Sequence, residues 1–379
     1  MSRWRARYGV GVIDRVPEVV RQYRAQRVLL VCGRRSFEAS GAARILPGLA
    51  TVARVQRWSD FAANPDVADL RTGLALWREF QPDLVLGIGG GSPMDMAKLL
   101  CGFASLPEGG DLPAAVATGE PAAPRRTQLV LVPTTAGSGA EATHFAVVYV
   151  GQRKYSVAHP SLRPDLALLD PALSQSGAAY QRATSGLDAV TQAIESLWAV
   201  GATSASRAWA RRALACLLPA IAPFVADADE TAARAMTIGS HLAGRAIDLS
   251  KTTAAHALSY ALTKRYGVSH GHAVGLTLGA FLAAHDPAAA PRLRPGVDPA
   301  AHAAAMADIY HLLGVSDGRA ARARFEALMR QIGLPTSLSE VGVTTAAERV
   351  ALAESVNPER LGNNPVDFTR SELIGLLTE

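Results

Sequence analysis

Short apolar runs alternate with helical periodicity in the first half of the chain. Residues 27–33 are rich in Leu and Val and end at a glycine, which is typical of a buried parallel strand. Apolar residues at helical spacing follow over residues 66–80. Residues 83–100 then predict a strand, a glycine turn and a helix in direct succession, and residues 127–143 repeat the strand and the polar turn. Residues 154–171 indicate two further strands, so this half predicts an α/β domain.

The pattern becomes helical almost throughout from about residue 178 to the end. The predicted helices cover residues 183–198, 205–225, 231–248, 252–264, 273–284, 300–313, 319–331 and 345–354. Residues 105–126 and 287–300 are rich in Pro, Gly and Ala and are predicted to be loops. We therefore expect an α/β domain over residues 1–177 and an all-helical domain over residues 178–379.

Composition narrows the class of protein. The 379 residues are 49% hydrophobic and 19% charged, which fits one large or two medium globular domains. Cys32, Cys101 and Cys216 are odd in number and lie in apolar stretches, so we expect reduced thiols and a cytoplasmic location. The first residues lack an apolar core with a cleavage site, and no run of about 18 apolar residues is visible, so neither secretion nor membrane insertion is expected.

The charge distribution favours a small anionic partner. The formal net charge is only +5, and the arginines are scattered rather than arranged along one stripe. Nucleic-acid binding is therefore not expected. A mildly basic protein that handles an anionic small molecule is the better interpretation.

Two turns have the composition of nucleotide-binding loops. Three consecutive glycines at positions 89–91 let the backbone approach a ligand closely, and Ser92 is predicted to cap the helix that follows. The free N–H groups of that first helical turn favour a phosphate. Thr134 and Thr135 offer two hydroxyls in the second turn. A glycine cluster alone is also common in tight turns without a ligand, but two such turns make coincidence less probable.

His256 and His270 are the first candidates for chemistry. They are fourteen residues apart, which is close to four helical turns, so a continuous helix would place both on one face. Gly267 is predicted to break the helix, which would put His270 on a turn that folds back toward His256. Two imidazoles at one place in apolar surroundings can bind a metal. The alternative is one buried histidine and one turn histidine, each with its own hydrogen bonds.

The motifs together resemble a known family. The segments GGGSPMDMAK, PTTAGSGAEAT and SGLDAVTQAIE, with the His256 and His270 pair, are similar to the iron-dependent (group III) alcohol dehydrogenase superfamily over nearly the full length. The resemblance implies a Rossmann-like dinucleotide-binding domain followed by an all-helical domain, the dehydroquinate synthase-like architecture, with metal and substrate in the cleft between them. It also implies reversible hydride transfer between a nicotinamide and an aldehyde or alcohol, and assembly into homodimers or larger oligomers.

The resemblance also implies roles for individual residues. The positions that match the pyrophosphate-binding turn are Gly89, Gly90, Gly91, Ser92 and Asp95, and those that match the lining of the nucleotide are Asn64, Thr134, Thr135, Ser138 and Lys154. Asp188, His256 and His270 match metal ligands of the family. A carboxylate and two imidazoles hold a divalent cation such as Fe(II) or Zn(II) and leave positions for a substrate carbonyl.

Two positions depart from the family pattern. Many relatives have a histidine ligand where this chain has Gln192, whose amide oxygen can bind a hard cation weakly or contact a metal-bound water, so the metal and its retention stay open. Many relatives also have a histidine near the nicotinamide where this chain has Tyr260. A phenol there can donate a proton or simply pack. His272 is a second candidate for a proton relay, and the alternative is a plain turn histidine.

The end of the first predicted strand indicates the cofactor. In such a domain an acidic residue commonly accepts the ribose hydroxyls of NAD at this position, whereas this chain has Gly33 followed by Arg34, Arg35 and Ser36. Guanidinium groups pair well with a 2′-phosphate. We therefore expect NADPH to be preferred, with NADH possible. The alternative is that both arginines are solvated surface charges.

The residues before the helix of His256 indicate an anionic substrate. Ser250, Lys251, Thr252 and Thr253 offer a cation, hydroxyls and free helix N–H groups, although a capped helix with a solvated lysine would have the same sequence. The segments RKYSVAHPSLRPD, SGLDAVTQAIESLWA and SKTTAAHALSY resemble the phosphonoacetaldehyde reductase branch of the family. That branch reduces phosphonoacetaldehyde to 2-hydroxyethylphosphonate in phosphonate natural-product biosynthesis.

Three other functions are compatible with the sequence. A generic alcohol or polyol dehydrogenase would act on neutral substrates with the same motifs. A dehydroquinate-synthase-like lyase shares the architecture but uses NAD only transiently, and Gly33 with Arg34 and Arg35 argues against it. A nucleotide-binding regulator that has lost its metal is conceivable because of Gln192.

Overall fold

The computed structural model describes residues 5–119, 125–151 and 153–378. The chain forms two compact units, Met1–Gly177 and Ala178–Glu379. The first is built around a parallel sheet and the second almost entirely from helices. This confirms the predicted fold class.

The first unit contains all the strands of the described chain. They are β1 (Ala6–Tyr8), β2 (Arg27–Cys32), β3 (Arg54–Trp58), β4 (Leu84–Gly89), β5 (Gln128–Pro133), β6 (Phe145–Val150), β7 (Arg153–Ala158) and β8 (Leu166–Leu169). Six of them form one parallel sheet in the order β1-β8-β5-β4-β2-β3. The other two, β6 and β7, form a separate antiparallel hairpin.

Helices cover both faces of the sheet. Those of the first unit are α1 (Val16–Gln22), α2 (Ser36–Ala39), α3 (Leu46–Ala50), α4 (Val67–Phe80), α5 (Gly91–Phe103), α6 (Leu112–Thr118) and α7 (Pro171–Ser174). In β2, Leu29 packs in the core that contains α4 and α5, whereas Leu30 packs in the core that contains α1 and α3. The central strands are therefore continuous apolar runs, since both of their faces are buried.

The candidate cofactor residues follow the strands at the reversal of the chain order. β2 pairs with β3 on one side and with β4 on the other. Open parallel sheets bind ligands at the carboxyl ends of their strands at such a reversal. Gly33 follows β2, the glycine turn follows β4, and Thr134 follows β5.

Three predictions for this unit were incomplete. Residues 112–118 of the predicted loop form α6, whose first turn is capped by the Asp111 carboxylate, and residues 120–124 lie outside the described chain. The second predicted pair of strands exists as β7 and β8, but β7 pairs with β6 rather than joining the sheet. The edge strands β1 and β3 were missed because their sequences, ARY and RVQRW, lack the apolar run of a central strand.

The second unit contains ten α-helices among the described residues. They are α8 (Ala179–Trp198), α9 (Ser204–Asp227), α10 (Glu230–Ser250), α11 (Ala254–Tyr266), α12 (His270–Ala284), α13 (Pro299–Leu313), α14 (Gly318–Gln331), α15 (Ala346–Glu354), α16 (Pro358–Gly362) and α17 (Arg370–Leu376). The eight predicted helices are confirmed with shifts of a few residues at their ends. The last two, which are short, were not predicted.

One helix of the described chain, α9, is long and apolar enough to cross a membrane by length and composition alone. Its 24 residues include an 18-residue window with a mean hydropathy of 1.3. The helix packs against α8 and α10, and its buried Leu214, Leu217 and Ile221 recur at helical spacing. An apolar face against two neighbouring helices accounts for this composition.

Candidate metal and dinucleotide sites

Three polar side chains share the buried face of α8. Asp188, Gln192 and Glu195 are spaced by four and three residues, which places them one above the other on a helix. All three are buried among the apolar residues of the second unit. This face therefore brings two carboxylates and an amide into the helical core.

The histidines come from two consecutive helices. The predicted break at Gly267 is confirmed, because α11 ends there with a left-handed φ of 68°. The prediction that His270 lies on a turn is wrong: it is the first residue of α12. Since α12 packs against both α8 and α11, the second imidazole is delivered by a helix terminus rather than by a loop.

A glycine lets α12 approach the ligand-bearing turn of α8. A Cβ atom on Gly271 would lie 2.0 Å from the carbonyl oxygen of Thr184 and 2.7 Å from Cβ of Asp188. No side chain fits at that distance, so the two helices meet backbone to backbone. This contact places the neighbouring His270 beside Asp188.

The three predicted metal ligands converge. Nε2 of His256 lies 3.4 Å from Oδ1 of Asp188, and Nε2 of His270 lies 4.0 Å from the same oxygen. One ligand atom from each residue lies within 4.8 Å of the others. Metal bonds of about 2.0–2.2 Å separate neighbouring ligand atoms by roughly 3–3.5 Å, so the site needs only a small contraction to hold a cation.

Both imidazoles have a hydrogen-bond partner at Nδ1, and Nε2 of His256 is left for a metal. Nδ1 of His256 contacts the carboxylate of Glu195. Nδ1 of His270 lies 3.2 Å from the Ser259 hydroxyl, which already donates to the carbonyl of His256 and therefore accepts from Nδ1. Nε2 of His256 is buried and makes no hydrogen bond to any described residue. The donor set fits a divalent cation.

Glu195 is the functional residue that sequence reasoning missed. Burial alone would raise its pKa, but the imidazole of His256 and hydrogen bonds from His256 and Thr253 hold that pKa below its usual value. Burial lowers the pKa of His256, whereas Glu195 and then Asp188 raise it to about 9. The two carboxylates therefore favour the protonated imidazole, and a bound metal would take the place of its Nε2 proton.

The N-terminus of α11 is already occupied by this carboxylate. Glu195 accepts hydrogen bonds from the backbone N–H groups of Thr253 at 3.1 Å, Ala255 at 3.0 Å and His256 at 3.3 Å. The positive end of the helix therefore stabilises an anion of the protein itself.

The predicted substrate-anion site at Lys251, Thr252 and Thr253 consequently lacks its main requirement, free N–H groups. Nζ of Lys251 lies 2.9 Å from Glu359 in an exposed ion pair. The Thr253 hydroxyl donates to Glu195 at 2.8 Å, and the carbonyl of Thr252 accepts from Asn363 at 3.0 Å. This segment is a capped helix start with a paired surface lysine, which was the alternative interpretation.

The two candidate proton donors have different surroundings. His272 is buried, with Nε2 at 2.9 Å from the carbonyl of Pro335 and Nδ1 at 3.3 Å from the hydroxyl of Tyr180, and burial lowers its pKa. It lies two residues after His270, a spacing that places the two side chains on different faces of a helix. Tyr260 stacks on His270, with ring centroids 6.3 Å apart and 28° between the planes. Either residue as proton donor stays a prediction.

Arg360 is a further residue that the sequence did not single out. It is buried on α16, which packs against α11. Burial raises the pKa of Tyr260, while the charge of Arg360 and its hydrogen bond lower that pKa. A buried guanidinium therefore lies beside an aromatic ring that contacts a candidate metal ligand.

In the first unit, the glycine turn begins α5 without a side-chain cap. Gly90 is the N-cap residue, so the prediction that Ser92 caps the helix is wrong. Ser92 lies within the first turn, where its hydroxyl accepts a hydrogen bond from the backbone N–H of Asn64 at 3.2 Å. This bond fixes the segment before α4 against the glycine turn. Gly89 has a φ of 154°, which a residue with a side chain rarely adopts.

The two predicted nucleotide turns lie against each other. A Cβ atom on Gly90 would lie 3.4 Å from the hydroxyl of Thr135, and one on Gly91 would lie 3.4 Å from Cβ of Ser138. The N–H group of Thr134 donates to the carbonyl of Gly89 at 2.9 Å. The residues matched to the pyrophosphate and to the nucleotide therefore form one continuous surface.

Asp95 and Lys154 lie at the hairpin rather than in the glycine turn. Asp95 is one turn inside α5, and its carboxylate accepts a hydrogen bond from the N–H of Val147 on β6 at 3.2 Å. Burial raises the pKa of Asp95 to about 6, against the charges of Lys98 and Lys154. This carboxylate links α5 to the hairpin that carries Lys154.

The end of β2 carries one unexpected acidic group. Arg34 forms an ion pair with Asp60, and the side chain of Arg35 has no such partner among the described residues. One of the two arginines expected to pair with a 2′-phosphate therefore already has a carboxylate partner. The hydroxyl of Ser36 lies directly over Gly33, only 2.1 Å from where a Cβ atom would be. Ser36 thus takes the space that an acidic side chain at position 33 would need.

A glycine turn on a parallel sheet and a carboxylate with two imidazoles on helices are compatible with a metal-dependent oxidoreductase. The family described as iron-containing alcohol dehydrogenase matches residues 4–171, and the C-terminal family described as Fe-containing alcohol dehydrogenase matches residues 182–379. The chain belongs to the iron-containing alcohol dehydrogenase family.

Individual relatives refine the comparison. The chain is 34% identical to phosphonoacetaldehyde reductase of Streptomyces viridochromogenes over 369 residues, 94% of this chain and 90% of the relative. It is 27% identical to long-chain-alcohol dehydrogenase 1 of Geobacillus thermodenitrificans, over 96% of this chain and 92% of that one. The crystal structure of sulfoacetaldehyde reductase from Bifidobacterium kashiwanohense in complex with NAD+ superposes with a TM-score of 0.88 at 25% identity, covering 100% of this chain and 97% of that one.

Proposed function

We propose that this enzyme reduces phosphonoacetaldehyde to 2-hydroxyethylphosphonate with NADPH and a divalent cation. The observation that carries the proposal is the convergence of Asp188, His256 and His270. The phosphonoacetaldehyde reductase and the sulfoacetaldehyde reductase to which the chain is similar are both named for short aldehydes with an anionic group. That similarity supports an anionic aldehyde as the substrate.

The chain's own residues prepare the site for this reaction. A divalent cation, Fe(II) or Zn(II), supplies Lewis acidity toward a carbonyl oxygen, and NADPH supplies the hydride. Asp188 contributes negative charge, and Glu195 and Ser259 fix the two imidazoles. Gln192 lies one turn beyond Asp188 on the same buried face, so its amide is the candidate for a fourth, weak ligand.

Tyr260 is the residue that we assign to protonate the product oxygen. Its ring stacks on His270, whereas His272 is held by Pro335 and Tyr180. Burial raises the pKa of the phenol, so it keeps its proton until the product oxygen needs one, and the charge of Arg360 partly offsets this rise. Water replaces the proton after each turnover.

Arg360 replaces Lys251 as the proposed partner of the phosphonate. A buried dianion requires a cation with N–H donors, and guanidinium groups bind phosphonate-like oxygens in pairs. Arg360 is buried and hydrogen-bonds Tyr260, so water screens its charge little, whereas Lys251 is exposed at the surface beside Glu359. The preference for the anionic aldehyde therefore rests on Arg360.

The preference for NADPH rests on Gly33 and Arg35. No carboxylate stands at position 33 to repel a 2′-phosphate, and the guanidinium of Arg35 is available to pair with one. The carboxylate of Asp60 forms an ion pair with Arg34, so it competes with a 2′-phosphate for Arg34 but not for Arg35.

The test is the oxidation of NADPH by metal-stripped protein, with phosphonoacetaldehyde or acetaldehyde and with or without Fe(II) or Zn(II). We expect metal-dependent oxidation that strongly favours the phosphonate, and a lower rate with NADH. Equal rates on both aldehydes would support a dehydrogenase for neutral substrates. Absence of net NADPH consumption with every metal would contradict the reductase and favour a lyase or a regulator.

A further inference from the structure

A single carboxylate connects the helix of Asp188 to the helix of His256. Glu195 is fully buried and accepts five hydrogen bonds, two from side chains and three from the backbone. The Thr253 hydroxyl, which is one of the donors, also accepts a hydrogen bond from Nε1 of Trp198 at 3.0 Å. Glu195 and Trp198 both belong to α8, so α8 holds the start of α11 at two points.

We propose that Glu195 is a positioning residue that fixes the tautomer and the orientation of His256 for metal binding. It does so by accepting the Nδ1 proton of the imidazole while its other oxygen anchors the backbone N–H groups of the same helical turn. This inference rests on the proposed metal site.

The bond to Nδ1 decides which nitrogen meets the metal. A neutral imidazole carries one proton, and the ring nitrogen that is not protonated is the ligand. Because Glu195 is an acceptor only, it keeps the proton on Nδ1, and Nε2 then points at Asp188 from 3.4 Å. Without an acceptor at Nδ1, the imidazole would also populate the other tautomer and the flipped ring orientation. Each of these lowers the fraction of molecules in which Nε2 can bind the metal.

The backbone hydrogen bonds make this arrangement rigid. Three contacts within one helical turn, to the N–H groups of Thr253, Ala255 and His256, fix the position of the carboxylate relative to the Cα atom that carries the imidazole. The positive end of α11 also stabilises the negative charge, so that Glu195 stays ionised although it is buried. The carboxylate cannot rotate away from Nδ1 without losing these bonds.

Positioning of His256 by Glu195 matters more in this chain because the metal site has few strong ligands. Gln192 stands on the face of α8 where a further imidazole would otherwise contribute, so two histidines provide all the strong nitrogen ligands of the predicted set. Outer hydrogen-bond partners of ligating histidines typically change metal affinity by about 10- to 100-fold. We expect the upper part of this range here.

The decisive variant is Glu195→Gln, which keeps the size of the side chain and one acceptor oxygen but removes the charge. We expect the Zn(II) affinity of the metal-stripped protein, measured by competition with a chromophoric chelator, to fall by about 10- to 100-fold. In 15N spectra of the zinc-loaded protein, wild-type His256 should show a protonated Nδ1, and the variant should show a mixture. Unchanged affinity with an unchanged spectrum would overturn the proposal.

Two further variants separate positioning from folding. Thr253→Val removes one donor to Glu195 but leaves the bond to Nδ1, so it should lower the thermal unfolding midpoint and change Zn(II) affinity less than about threefold. An affinity loss as large as that of Glu195→Gln would mean that helix capping, not the imidazole, is responsible. Asp170→Asn is the matched control, because Asp170 is a buried carboxylate that caps α7 and pairs with Arg44.

The readout distinguishes this inference from the proposed function. If wild-type protein binds no divalent metal, the proposed function and the inference both fail. If wild-type protein binds metal and reduces the aldehyde while Glu195→Gln binds equally well, only the inference fails.

Discussion

Gly271 lies against Asp188, so the first turn of α12 is in backbone contact with the ligand-bearing turn of α8. A Cβ atom at position 271 would be 2.7 Å from Cβ of Asp188 and closer still to the carbonyl oxygen of Thr184. His270 directly precedes Gly271, and its distance from Asp188 therefore depends on this contact.

Gly271→Ala should disrupt the metal site by pushing α12 away from α8. Overpacking of this kind costs about 1–3 kcal/mol of unfolding free energy. We expect a lower thermal unfolding midpoint together with weaker Zn(II) binding. Gly279→Ala is the control on the same helix, because its Cβ atom would meet Arg322 and Glu326 only at ordinary contact distances of 3.4–3.7 Å. Equal effects of both substitutions would contradict a special role for position 271.

Arg360→Met should weaken binding of an anionic aldehyde much more than binding of a neutral one. Loss of hydrogen bonds to a charged group costs about 1.5–3 kcal/mol, so KM for phosphonoacetaldehyde should rise about 10- to 100-fold more than KM for acetaldehyde. Tyr260→Phe should instead lower kcat for both aldehydes. Lys251→Met should affect both substrates equally, since this lysine pairs with Glu359. A phosphonate-specific effect at Lys251 rather than at Arg360 would contradict the proposed assignment.

Gly33→Asp should reverse the cofactor preference when it is combined with Ser36→Ala. The second change makes room, because the Ser36 hydroxyl lies 2.1 Å from where the new Cβ atom would be. A carboxylate facing a 2′-phosphate costs several kcal/mol, so the ratio of kcat/KM for NADPH to that for NADH should fall at least about tenfold. Ser36→Ala alone should leave the ratio nearly unchanged. A double variant that still prefers NADPH would show that position 33 does not read the ribose.

Two buried histidines outside the metal site should make the fold sensitive to acid. Burial holds the pKa of His285 well below its ordinary value and also lowers the pKa of His302. The unfolded chain protonates these two imidazoles near pH 6.5 where the folded chain does not, so their contribution to stability should decrease as pH falls below about 6.5.

The measurement is the thermal unfolding midpoint of metal-stripped protein between pH 7.5 and pH 5. His285→Gln should reduce the fall of the midpoint across this range. His311→Gln, on the exposed end of α13, should leave the fall unchanged. If His285→Gln shows the same slope as wild type, buried neutral imidazoles are not the cause.

Local patterns in the sequence were sufficient for much of the fold and of the site. The glycine turn and the helix of Asp188 depend on residues adjacent in sequence, and the apolar runs of the central strands mark the core. Glu195 was missed because its partners, Thr253 and His256, are about sixty residues away and only the fold brings them together. The same reason explains the misplaced anion site: the N–H groups counted as free were filled from a distant helix.

The polar edge strand of the first unit and its ion pairs could also not be predicted from the sequence pattern. Strand β3 lacks an apolar run because it lies at the edge of the sheet, and Asp60 pairs with Arg34 only because the segment after β3 returns to the end of β2. Tertiary contacts decide which charged residues pair at such edges, and the periodicity of the sequence does not show those contacts.

The central claim is that Asp188, His256 and His270 hold the cation that aldehyde reduction requires. Its most direct test is a titration of metal-stripped protein with Zn(II) or Fe(II), in which bound metal and NADPH oxidation with phosphonoacetaldehyde are followed together. We expect activity to rise with bound metal and to saturate at one equivalent per chain, whereas His256→Ala should bind NADPH but neither retain metal nor turn over. Full activity of the stripped protein, or of His256→Ala, would contradict the claim.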